Sequence, residues 1–303
     1  MKLLYFILPA LFSAIFSIST KDKDKSYQLI PIHYKLSKPD RIYELPHALH
    51  EISGITKIND NTIACIQDEN GIIYFYNIDK EEVVTRSFFS QKGDYEGITR
   101  AGNSLWVLRS DGILFDVTGF TSEIAGCKYY TSGVPALNIE GLCYDKANNR
   151  LLIGPKDQFL DKDEGKKKRF IYSFDLKYKR LDKLPAFTFD MKAVRKFAEE
   201  NHIDVHYKHK KKDKKEPDIE FRISEIAINT LTNKLFLLSG MEHLLMVFNL
   251  HGKIEYMEKL DHDIYNQPEG LTFLNNGDML ISNESKNKKP TIVRCNFRKK
   301  EVK

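Results

Sequence analysis

The chain has 303 residues, 42% apolar and 29% charged, with a formal net charge of +5 at pH 7. These values exclude a disordered chain and a multi-span membrane protein, and they fit one large or two ordinary globular domains. Four cysteines without zinc-ligand or CxxC spacing exclude a disulfide scaffold, leaving a single bridge through Cys127 open.

Residues 1–19, "MKLLYFILPALFSAIFSIS", place Lys2 ahead of an apolar run that ends in small residues, and "TKDKDK" follows. This is the three-part pattern of a signal peptide, so an exported, periplasmic or cell-envelope protein is expected. The alternative is an uncleaved membrane anchor, and membrane contact is expected only if that segment is retained. No cysteine follows the run to carry a lipid. The remainder, 26–303, reads as a single β-propeller domain for the following reasons.

"DRIYELP" (40–46) has the look of an isolated strand. Behind it come five related stretches: "HEISGITKINDNTIACI" from His50, "GDYEGITRAGNSLWVL" from Gly93, "LNIEGLCYDKANNRLLIG" from Leu137, "FRISEIAINTLTNKLFLL" from Phe221 and "NQPEGLTFLNNGDMLIS" from Asn266. Each begins with a short strand and a turn of Asn, Asp and Gly, residues that tolerate positive φ or bond their own backbone. A second, continuously apolar strand follows, as in a sheet covered on both faces. Third strands read "IIYFYNID", "ILFDV", "FIYSFDL", "LLMVFNL" and "TIVRCNF". Fourth strands vary more: "VVTRSFF", "EIAGCKYY", "RLDKLPAFTF" and "KIEYMEKL".

Aligned on the residue before the glycine, the copies give the column Ser53, Glu96, Glu140, Ser224 and Glu269, with Glu225 in the glycine place of the fourth. Three of the four steps are about 44 residues, the length of a propeller blade, and one is about twice that. The long step contains "DMKAVRKFAEENHI" from Asp190, with Met191, Val194, Phe197 and Ala198 on one helical face and Asp190 suited to cap it. The expectation is an all-β, five-bladed β-propeller with a small helical and basic insertion at about 190–218. A sixth blade in the long step is the alternative. The fifth copy lacks a fourth strand, which "DRIYELP" would supply by closing the ring and removing an exposed edge.

The basic runs "KDEGKKKR" (162–169) and "HYKHKKKDKK" (206–215) read as solvated loops, and no nucleic-acid partner is expected. No phosphate loop, nucleophile elbow or HExxH is present. Chain direction places the loop between second and third strands on the same face as the repeated motif. That predicts a mouth lined by Asp68, Glu69, Arg109, Asp111, Lys156, Asp157, Glu242, His243, Asn283 and Glu284. Convergent polar groups at a concave end are the default binding site, here for an envelope ligand, glycan or protein.

At the throat, Glu96, Glu140 and Glu269 with the hydroxyls of Ser53 and Ser224 would repel one another unless a cation or a basic side chain lies among them. Oxygen donors of this kind suit Ca²⁺. Two other readings stand beside it: each glutamate locks neighbouring blades by accepting backbone amides, or one serves as a catalytic acid or base. A Ca²⁺-dependent hydrolase of phosphoesters, esters or lactones would use Arg109 and Lys156 to hold an anionic substrate.

The motifs "EISGI", "DYEGI", "NIEGL", "RISEIAI" and "QPEGL", with "QDENGIIYFYNID" after the first strand pair, resemble the SdiA-regulated (YjiK-like) family of exported bacterial proteins over roughly residues 43–297. The resemblance implies a β-propeller outside the cytoplasm with no established reaction. The column matches the family pattern except at Glu225, where glycine is expected. Through "YEGI" and "IEGL" there is a more distant similarity to phytase-like and esterase-like propellers, some of which use Ca²⁺.

Overall fold

A computed structural model describes residues 29–159, 167–209, 215–286 and 288–299. The expected signal segment and much of both basic runs lie outside the described residues. Five antiparallel sheets follow one another around a central channel, and they match the five copies. Blade 1 runs from its inner strand Ile52–Lys57 through Thr62–Gln67 and Ile72–Asn77 to Glu82–Phe88. Blade 2 comprises Tyr95–Ala101, Ser104–Arg109, Ile113–Thr118 and Gly126–Thr131, and blade 4 comprises Glu225–Asn229, Lys234–Ser239, Leu244–Asn249 and Ile254–Lys259.

Blade 3 has inner strands Ala136–Asp145 and Arg150–Phe159 and a third strand Lys168–Asp175. Its fourth place, expected as one strand, is shared by Arg180–Leu181 and Phe187–Asp190, which pair with opposite ends of the third. Blade 5 has Pro268–Phe273, Met279–Asn283 and Thr291–Cys295, and Arg41–Glu44 from the N-terminal side completes it, with Ile42 opposite Val293. The ring is therefore closed as "DRIYELP" predicts.

The long step holds no sixth blade among the described residues. It holds a helix, α1 (Met191–Glu200), and a hairpin pairing Tyr207–His209 with Lys215–Pro217. Asp190 caps α1 by accepting the Lys192 amide at 2.8 Å, and Met191, Val194, Phe197 and Ala198 are buried, as the sequence pattern requires. They join Phe189, Phe221 and Phe248 in the core between blades 3 and 4.

Five hydrophobic cores lie one at each blade interface. Alternation along the second strands explains their uninterrupted apolar sequence: Ile63 and Cys65 face blade 5, whereas Ala64 and Ile66 face blade 2. All four cysteines are free, with Cys65, Cys143 and Cys295 buried and Cys127 exposed. Residues 29–39, given no role by the sequence reading, lie across blades 4 and 5. Tyr34 there donates to the Gly277 carbonyl and accepts from Asn229, both at 2.6 Å.

The motif glycines are spaces rather than turns. A Cβ on Gly54 would lie 2.8 Å from the Ile98 nitrogen, one on Gly97 2.7 Å from the Glu140 oxygen, and one on Gly270 2.6 Å from the Ser53 oxygen. In each case the neighbour is the next blade's inner strand. In blades 1, 2, 3 and 5 the motif also coincides with a slip in pairing register between first and second strands. Blade 4 pairs without a slip, Glu225 opposite Leu238, and its close approach to blade 5 is made by Gly240, whose added Cβ would lie 2.5 Å from the Pro268 oxygen. Glu225 fits because glycine's function has moved to the turn that follows the adjoining strand.

Gly97→Ala is expected to lower stability by about 1–3 kcal/mol, through backbone that cannot move aside. Gly102→Ala, at a turn with open space and φ of +62°, is expected to cost about 1 kcal/mol. Urea denaturation midpoints compare the two, and an equal or smaller loss at Gly97 would refute the packing account.

Candidate functional site

The loops after the second strands of blades 1, 2 and 5 share a face with the motifs, because each of these is bonded to the start of the next inner strand. Tyr95, just before Glu96, donates its amide to the Asp68 carbonyl at 2.8 Å, and Ile139, just before Glu140, donates to the Ser110 carbonyl at 3.0 Å. Ser285 donates to the His50 carbonyl at 2.7 Å across the closing interface.

Inside the mouth the column is not uniform. Ser53 Oγ donates to the Tyr95 carbonyl at 2.7 Å, so it stitches blades 1 and 2 together. Ser224 Oγ accepts the Gly240 amide at 3.1 Å and is hydrogen-bonded to Glu269. Lys156 Nζ lies 2.7 Å from Glu140 Oε1, both side chains being largely buried. The basic side chain that three converging carboxylates require is therefore supplied by the chain. Among the described residues, no group of three or more His, Cys, Asp and Glu side chains is arranged to hold a metal ion.

Burial raises the pKa of Glu96 to about 10, reinforced by Glu140 and Asp94. It raises Glu140 to about 8 against the pull of Lys156, and it raises Glu269 while Lys156, Ser224 and Gln267 pull the other way. For Lys156 burial disfavours the charge, but Glu140, Glu269 and Glu96 outweigh it and the pKa rises. At neutral pH the throat thus keeps its ammonium and holds Glu96 as the neutral acid.

Glu225, which the column placed only as a departure from glycine, belongs to the same cluster. Its Oε1 accepts the amides of Leu142 at 2.9 Å and Ile226 at 2.8 Å, so it clasps blade 3 to blade 4. This is the amide contact between blades expected of the column glutamates, made here by a residue outside the column. An acid in a place otherwise kept for glycine was the sequence signal.

At the rim, burial pushes Asp68 up to about 7, with Glu51, Glu284 and Asp94 adding to the effect. Arg109 is committed to Asp111 by two bonds, Nε to Oδ1 at 3.0 Å and Nη2 to Oδ2 at 2.8 Å. Glu69 is exposed, its amide held by Gln67 Oε1 at 2.7 Å. Glu242 accepts from Ser239 Oγ and from the Arg222 amide, so it serves its own turn rather than the channel. His243 stacks on His262 at 3.6 Å. Glu284 is bonded to Gln267 and has a raised pKa from burial and from Glu269 and Glu51. Among the described residues, buried acceptors on this face without a hydrogen-bond partner include Asp68 Oδ1, Glu140 Oε2, Asp157 Oδ1 and Asn283 Oδ1, and Glu51 Oε2 meets only the His50 imidazole, at 3.2 Å. Glu51, Asp94 and Gln267 are mouth residues that the motif alignment passed over.

With this geometry in view, the comparisons are informative about fold. Domain of unknown function (DUF7431) matches residues 119–242, less than half of the chain. No curated protein matches the sequence. Glutaminyl cyclase from Myxococcus xanthus is 12% identical with a TM-score of 0.57, covering 86% of this chain and 95% of its own. The PQQ-bound form of aldose sugar dehydrogenase from Streptomyces coelicolor is 10% identical with a TM-score of 0.55, covering 86% and 97%. At these identities the likeness establishes the β-propeller fold alone.

Removing the ammonium while leaving its carboxylates tests the throat. Lys156→Met is expected to destabilise the protein by about 3–5 kcal/mol at pH 8 and by much less at pH 5. The sign follows from linkage. Glu96 and Glu140 have folded pKa values above the model value of 4.5, so their contribution is complete below pH 4.5 and is lost as pH rises towards about 8 for Glu140 and about 10 for Glu96. Melting temperatures across pH 5–8 should therefore fall with pH in the wild type and fall more steeply in the variant. Parallel curves would contradict the arrangement.

Proposed function

We propose that the chain is a binding propeller whose motif-side mouth takes a small ligand, or a glycan or protein side group, that carries a positive charge. The observation that carries this reading is the set of buried acceptors without a protein donor, Asp68 Oδ1, Glu140 Oε2, Asp157 Oδ1 and Asn283 Oδ1, all facing one end of the ring. Such atoms are costly unless solvent or a ligand donates to them. The Lys156 ammonium against Glu140 is an internal example of the group they suit. Ca²⁺ is the metallic form of the same reading, and its oxygen donors are available, but Lys156 would have to withdraw for it to enter the throat. The hydrolase reading gains no support, because Arg109 and Lys156, its two anion-holding cations, face carboxylates of their own chain.

The likeness to the SdiA-regulated family, carried by the motifs, implies an exported propeller and supplies no established reaction. Export rests on the first nineteen residues, with a retained anchor as the alternative; no described helix is long and apolar enough to cross a membrane.

Calorimetric titration with agmatine, spermidine and CaCl₂ tests the proposal. At least one should bind with one-to-one stoichiometry, and Asp157→Asn should weaken it about tenfold, the loss of one charge-assisted bond. Affinity should also fall as pH is lowered from 8 to 6, because Asp68 with a pKa of about 7 and Glu140 with one of about 8 become neutral. A throat that binds Ca²⁺ in preference to both amines would assign the site to a metal; no binding by any of the three would refute the reading.

A further inference from the structure

The other end of the channel has opposite character. The inner strands run on from the acidic motifs to a cavity of about 380 Å³ framed by all five blades. Part of its wall is apolar, with Ile58, Ala227, Phe273 and Leu274 among the lining residues, and Thr56, Thr99, Thr230 and Thr272 add hydroxyls. Lys57, Arg100 and Lys146 also line it, one each from blades 1, 2 and 3. None of these three forms an ion pair with a described residue. Lys57 donates to the Asn275 side chain, and Arg100 donates to the carbonyls of Ile58 at 2.5 Å and Gly102 at 3.1 Å. Lys146 is exposed.

The acids nearby offset these charges only in part. Asp60, which acts on Lys57, is exposed on the turn. Asp145 is buried and committed to Arg150 at 2.8 Å and Asn148 at 2.7 Å. A cavity with an apolar stretch of wall and three cations on one arc matches a molecule with an apolar body and a negative head. The volume lies within the range of about 300–1,000 Å³ usual for small-ligand sites.

We propose that this far cavity is a second binding site, specific for a small amphipathic carboxylate. The carboxylate lies against Arg100, Lys57 and Lys146, where the guanidinium has donors to spare beyond the two carbonyls it serves. The aliphatic or aromatic body lies on Phe273, Leu274 and Ala227 towards blades 4 and 5, whose part of the wall contributes no charged residue. The site is separate from the mouth and takes the opposite charge.

Octanoate is the probe, with acetate, octan-1-ol and octylamine as comparisons, measured by calorimetric titration of the full chain. Octanoate is expected to bind with one-to-one stoichiometry, octan-1-ol at least tenfold more weakly, and acetate without detectable heat. Octylamine is expected not to displace octanoate. Arg100→Met should weaken octanoate at least tenfold. Because Arg100 also bonds backbone, Lys146→Met provides the variant without a structural role and should weaken binding several-fold. Lys128→Met, which removes one charge from the outer strand of blade 2, should leave binding unchanged. Equal affinity for octanoate and octan-1-ol, no binding of octanoate, or unaltered affinity in both Arg100→Met and Lys146→Met would each overturn the proposal.

Discussion

The constraint on which the rest depends is the distance between inner strands at the axis. Five sheets meet there with less room than a methyl group at Gly54, Gly97 and Gly270, so backbone packs on backbone. None of these three has positive φ, and the requirement is for space alone. Close approach also fixes the chemistry of the channel. Any side chain at the residue before the glycine is held beside its counterparts from other blades, and carboxylates at three such places are brought into mutual influence whether or not their charges favour it.

The chain resolves that conflict with its own groups. Lys156 enters from the second strand of blade 3 to meet Glu140, Ser224 hydrogen-bonds Glu269, and Glu225 is satisfied by two backbone amides. Burial still leaves Glu96 far above the ordinary carboxylate range. The same ring that forces carboxylates together at its first turn of strand ends, a few residues on, in Lys57, Arg100 and Lys146. The axis therefore has an acidic end and a basic end.

Closure of the ring is a separate matter from the geometry of the axis. Arg41–Glu44 pairs along its whole length with Thr291–Cys295, so blade 5 joins segments from opposite parts of the chain. Tyr34 adds a second tie across blades 4 and 5 through Asn229 and Gly277. Helix α1 does for the interface of blades 3 and 4 what these do for the closing interface, covering apolar side chains with a buried face of its own.

Period and pattern along the chain determined the blade count, the strand order, the closing strand and the cap and buried face of α1, because each follows from local alternation, turn residues or a repeat length. The sequence also determined that acids recur before the glycines. Only the tertiary structure decided what surrounds them, since that depends on residues far apart in the chain. Lys156 was legible as a loop cation at the mouth, yet its contact with Glu140 arises from the path of blade 3 around the axis. Ser53, equivalent to Glu96 by alignment, turns to a neighbouring carbonyl instead of the channel. Glu225 is admitted to a glycine place because Gly240, in the turn after the next strand, supplies the missing space. The basic far cavity was invisible for the same reason: Lys57, Arg100 and Lys146 lie in three different copies, and ring closure brings them to one rim.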